Sequence, residues 1–133
     1  MKKIIIIAIL IVLVFTLASC APSKIEGKKA LIIQKILDVN KVPYTTITLF
    51  GDKAEITYET SDATNYDAQI ISDWGMIFAA AANFNYKEIT IVNTINGEPI
   101  ARLSTSSENV NLLGNDQINE SEFWNAVEIK AVN

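Results

Sequence analysis

The chain has 133 residues, enough for one domain, with 11 basic against 15 acidic groups, a net charge of −4, one cysteine and no histidine. That inventory excludes a Ser-His-Asp triad, a Cys-His nucleophile pair, an intrachain disulfide and zinc sites of the usual kinds. The acidic balance is repelled by nucleic acid, and five scattered glycines form no phosphate loop.

The chain opens with Lys2 and Lys3, then the uncharged run Ile4 to Ala18, then Ser19-Cys20-Ala21-Pro22. A charged start, a short apolar run and small residues at its end describe an export signal. The run falls short of the roughly 20 apolar residues that span a bilayer comfortably. An uncleaved anchor helix extending to Ala21 is the competing reading, and both place the rest of the chain on the exported side.

Leu17-Ala18-Ser19-Cys20 resembles the lipobox of prokaryotic lipoproteins. The resemblance covers residues 1 to 21 only. It implies cleavage between Ser19 and Cys20, lipid on the Cys20 thiol and attachment to a membrane of the cell envelope. Diacyl attachment supplies the two chains that stable anchoring needs. Cleavage there leaves 114 residues with nine basic against fifteen acidic groups, net −6. The chain therefore divides into a signal over 1–19, a lipidated Cys and short tether over 20–23, and one domain over 24–133.

Ser23-Lys24-Ile25-Glu26 matches a capping box and opens a helix with Ile25, Ile32, Ile33, Ile36 and Leu37 at helical spacing. Asn40 and Pro43 end it. Residues Tyr44 to Thr60 alternate with period two around Gly51-Asp52, a hairpin with glycine first in its loop. Pairing Phe50 with Lys53 puts Leu49/Ala54, Ile47/Ile56 and Thr45/Tyr58 on one face. The other face receives Tyr44/Glu59, Thr46/Thr57 and Thr48/Glu55.

A main helix is expected over Thr64 to Phe84, capped by Thr64 or Asn65, with Ile70, Ile71, Trp74, Ile77, Phe78 and Ala81 as its apolar stripe. Asp73 is assigned to its solvent side. A second hairpin runs from Lys87 to Ser104. A two-residue Asn96-Gly97 loop would pair Ile91 with Arg102. A three-residue loop from Ile95 to Gly97 is preferred, because it pairs Ile91 with Ala101 and Ile89 with Leu103. In the tail, Val110, Leu112 and Leu113 predict a helical turn or two before Gly114. Asn119 to Glu122 forms a second capping box, with Ile118 and Phe123 as its staple. That cap outweighs the glycosylation sequon Asn119-Glu120-Ser121. Val127, Ile129 and Ala131 alternate, so a terminal strand rivals the terminal helix.

The order predicts an α+β two-layer domain: an antiparallel sheet of about four strands, two hairpins, with helices on one face. Asp62, Thr64, Asp67 and Asp73 are spaced somewhat like calcium ligands, but Asp67 stands where an EF-hand needs glycine, and helix capping explains the first three. No metal and no cofactor are expected. The candidate binding surface is the polar sheet face: Tyr44, Thr46, Thr48, Thr57, Thr90 and Arg102, the only arginine. Exposure of Val92 and Ile100 beside it would mark a partner site. The expectation is a lipid-anchored, non-catalytic domain that binds a protein, a glycan or a small ligand. The alternatives are an envelope enzyme using paired carboxylates and an inhibitor or assembly factor acting through a sheet edge.

Overall fold

A computed structural model describes residues 23–60 and 68–132. The signal segment with Ser19 and Cys20, the caps Thr64 and Asn65, and Asp62 and Asp67 lie outside the described residues, as do the side chains of the first capping box.

Helix α1 (Ser23–Val39) leads into strands β1 (Tyr44–Phe50) and β2 (Lys53–Glu59). Helix α2 (Ala68–Ala81) follows, then β3 (Glu88–Ile95) and β4 (Glu98–Thr105). Two short helices, α3 (Ser107–Gly114) and α4 (Glu120–Ala126), precede a last strand, β5 (Glu128–Ala131). The five strands form one sheet in sequential order. Among the described residues, no helix is long and apolar enough to cross a membrane.

The sheet is mixed, not wholly antiparallel, because β2 and β3 run parallel. The cause lies in the connections. A single packed helix, α2, carries the chain back along the sheet, so β3 starts at the end where β2 started, which is the crossover that parallel neighbours require. Between β4 and β5 the chain passes through two helices, and β5 returns antiparallel to β4. The terminal helix and the terminal strand therefore both exist, one after the other.

The first hairpin keeps the predicted register from Phe50/Lys53 to Thr46/Thr57. Only Gly51 of its loop has positive φ, 61°. Beyond Thr46 a bulge at Thr45 pairs Tyr44 with Tyr58, and Tyr44 moves from the polar face to the core side, where it packs against the core. The second hairpin does use the two-residue loop, with Asn96 at φ 51° and Gly97 at φ 79°, the mark of a type I′ turn. A bulge at Ile100 then shifts the register the opposite way from the three-residue alternative. It brings Ile91 opposite Leu103, both fully buried.

The core gathers Ile33 and Leu37 of α1, Ile56 and Tyr58 of β2, Ile77 and Phe78 of α2, Ile89 and Ile91 of β3, Leu103 of β4 and Phe123 of α4. Phe78 and Phe123 meet edge to face at 6.0 Å, docking α4 on α2. The buried stripe of α2 is rotated from the expected one. Asp73 and Ala80 are buried, and Ile71 is 40% exposed. Helix α1 ends in a Schellman motif: the Val42 N–H donates to Leu37 O at 2.9 Å and the Lys41 N–H to Asp38 O at 3.1 Å. Lys41 stands in the left-handed position of that motif, φ 57°. The capping box at Asn119 is present in full, with Glu122 reaching back to the Asn119 N–H.

Candidate functional site

The polar sheet face holds Thr46, Thr48, Thr57, Thr90 and Arg102, but its groups are largely engaged with one another. Thr46 Oγ1 donates to Thr57 Oγ1 at 2.8 Å, and the Thr90 and Ser104 hydroxyls are 2.9 Å apart. Arg102 Nη2 reaches across β3 to Glu55 Oε2 at 2.7 Å. That ion pair is partly exposed, and such pairs contribute about 0.2–1 kcal/mol. Thr90 and Val92 are buried, Ile100 is half-buried in its bulge, and the partner mark of two exposed apolar residues is absent. Tyr44 has left this face, and its hydroxyl donates to Asp38 Oδ1 at 3.0 Å. Burial, then the Asp38 carboxylate, raises the Tyr44 pKa above its ordinary value.

A concave site lies elsewhere, at the carboxyl ends of the parallel strands β2 and β3. Open sheets with helical crossovers commonly leave a crevice at the carboxyl ends of their parallel strands. Here a hollow of about 870 Å³ is lined, among the described residues, by Asn40, Lys41 and Pro43 from the end of α1 and the loop after it, and by Tyr58, Glu59 and Thr60 at the end of β2. Gln69, Ile70 and Asp73 from the start of α2, with Asn96 of the β3–β4 turn, complete the described lining.

Each lining group is held by local structure. Inward alternation along β2 points Tyr58 into the core, where its hydroxyl donates to Asp73 Oδ2 at 2.6 Å. Gln69, one turn earlier on α2, donates to Asp73 Oδ1 at 2.9 Å. Glu59 Oε1 accepts from Thr94 Oγ1 at 2.8 Å and from the Gly97 N–H at 3.0 Å, and its Oε2 accepts from the Asn96 N–H at 2.6 Å. The Thr94 hydroxyl and then the Gly97 N–H are the main groups that lower the Glu59 pKa below its ordinary value. Asn40 Nδ2 donates to Ile36 O at 2.7 Å, which leaves its carbonyl oxygen available.

The lining is therefore rich in acceptors: two carboxylates and the carbonyl oxygens of Asn40 and Gln69. Lys41 is the one cation among the described lining residues. Such a site suits a ligand that brings hydroxyl or amino donors. Among the described residues no group of three acidic residues is placed to hold a metal ion. The cleft carries two carboxylates, as an acid–base hydrolase requires, and each of their oxygens already accepts a hydrogen bond from the protein, with acceptor capacity left over. The lowered pKa of Glu59 is also opposite to what a general acid needs.

None of the cleft residues belongs to the sheet-face candidates, and Asp73 enters the sequence reading only through the calcium-like spacing and as a solvent-side residue of its helix. Asp73 offered the one available signal, since it sits inside the apolar spacing of α2, next to Trp74 and four residues before Ile77. No family model, no curated protein and no solved structure matches this chain.

Proposed function

We propose that this chain is an exported lipoprotein, held to a membrane through Cys20, whose domain binds a small hydroxyl-rich ligand such as a short glycan in the cleft between α1, β2 and α2. The lipobox-like Leu17-Ala18-Ser19-Cys20 supports the anchor. The observation that carries the binding role is the acceptor-lined hollow at the carboxyl ends of the parallel pair. The side-chain amide signals of Gln69 and Asn96 are expected to shift in NMR spectra titrated with short neutral oligosaccharides. Shifts confined to Thr46, Thr57 and Arg102 would move the site to the sheet face, and no shifts with any sugar would end the glycan reading. Intact mass of membrane-extracted protein tests the anchor, and a full-length unmodified chain would sink it.

A second reading, a carboxylate-dependent envelope enzyme, is favoured by one observation: Glu59 and Asp73 line the same cleft. It requires glycan hydrolysis that disappears in both Glu59→Gln and Asp73→Asn. The sheet-edge reading draws on β1, an outer strand with no charged residue from Tyr44 to Phe50. It requires a partner or second copy whose binding is lost on introducing lysine at Thr48.

A further inference from the structure

The geometry points to the outward face of α1 as a surface that lies against an anionic membrane, an inference that rests on the lipoprotein reading. Ile33 and Leu37 turn inward and are fully buried. The opposite side exposes Leu31 at 40%, Ile32 at 47% and Val39 at 74%, with exposed Lys28 and Lys35 beside them. A shallow hollow of about 440 Å³ on that side is lined by Leu31, Ile32, Gln34, Lys35 and Asp38. Apolar residues flanked by lysines are the composition of a helix that rests in the headgroup region.

Charge and chain length select the occupant. Residues 23–39, the span of α1, carry four lysines against Glu26 and Asp38, net +2, whereas residues 40–133 carry five basic and thirteen acidic groups, net −8. An anionic surface therefore attracts α1 and repels the rest, which orients the domain with α1 toward the lipid. Each lysine close to such a surface strengthens attachment about fivefold. Only Ala21 and Pro22 separate Cys20 from Ser23, where α1 begins. A lipid on Cys20 thus holds the start of the helix at the headgroups, and the charge asymmetry favours laying the rest of it, about 25 Å long, along the surface.

The test uses the full chain purified from membranes, its lipidation read by intact mass, in vesicles of phosphatidylglycerol or of phosphatidylcholine. A polarity-sensitive fluorophore is placed at Ile32→Cys and, as the reference, at Gln117→Cys on the turn after α3. The label at 32 is expected to shift to the blue in phosphatidylglycerol, less in phosphatidylcholine. High salt and the pair Lys28→Glu, Lys35→Glu should each reduce the shift, while the label at 117 reports water throughout. A label at 32 as wet as that at 117 in phosphatidylglycerol overturns the docking, even with Cys20 acylated. If the mass shows no lipid, the anchor reading alone fails. The Cys20→Ser chain added to the same vesicles then still decides: a shift at 32 supports the face and no shift overturns it. A shift that follows protein concentration rather than lipid charge assigns the face to a second copy and overturns the membrane reading.

Discussion

Tyr58 donates a 2.6 Å hydrogen bond to Asp73, and this buried contact ties the end of β2 to the first half of α2. Both residues also line the cleft, so one contact supports the fold and shapes the candidate site. A buried hydrogen bond to a charged group contributes about 2 kcal/mol. Tyr58→Phe should lower unfolding stability by about that amount, measured by urea denaturation. An unchanged midpoint would show that the bond is not made in solution.

Lys41 adopts a left-handed backbone conformation that favours glycine. Lys41→Gly should raise stability by about 1 kcal/mol. It also removes the cleft's cation among the described lining residues, so the same variant should bind the cleft ligand differently from the parent. Stability and binding then move independently, and thermal melting with a binding titration on one sample checks both. Binding identical to the parent would exclude Lys41 from recognition.

Glu59 ties β2 to the β3–β4 turn through Thr94, Asn96 and Gly97. Its pKa is lower in the folded state than its ordinary 4.5, so the unfolded chain takes up the proton first. The stabilisation is present above pH 4.5 and is lost as pH falls through the lowered value. Glu59→Gln should therefore melt below the parent at neutral pH, with the gap narrowing below pH 4.5. A gap independent of pH would point to packing rather than charge.

Asn93 is fully buried on the core face between Tyr58 and Ala101, and neither its amide nitrogen nor its oxygen has a hydrogen-bond partner. A buried unsatisfied polar group is costly, by about 1–3 kcal/mol. Asn93→Val, β-branched and apolar, should raise stability by about 1–2 kcal/mol in chemical denaturation. A loss of stability instead would indicate that the amide is satisfied in solution by a buried water.

Much of the local structure was legible because its causes are local. Gly51 in a two-residue loop, Asn119 facing Glu122 and the stop at Asn40 to Pro43 each depend on neighbours within a few residues. The second hairpin shows the boundary. Asn96-Gly97 announced its turn correctly, but the bulge at Ile100 that reconciles that turn with a buried Ile91–Leu103 pair is marked only by the neighbouring Pro99, which cannot donate to the ladder and does not say which way the register shifts. The bulge at Thr45 is equally silent, and it moved Tyr44 to the opposite face. For the site, five of the six sheet-face candidates do share a face, but Thr46 and Thr57 bond each other, Thr90 bonds Ser104 and Arg102 pairs with Glu55. The cleft combines the end of α1, the end of β2, the start of α2 and a turn after β3, stretches that no spacing rule connects.

From its residues alone, the chain shows an acidic balance, one cysteine behind an N-terminal apolar run, no histidine, and the order of its first two helices and two hairpins. Composition and periodicity are properties of the chain before it folds, and folding does not alter them. Direction and depth were decided only in three dimensions. One helix between β2 and β3 made that pair parallel, whereas two helices between β4 and β5 made theirs antiparallel. The packing of α2 buried Asp73 against Tyr58 instead of leaving it in solvent, because a helix settles by its whole contact surface and not by its apolar stripe alone.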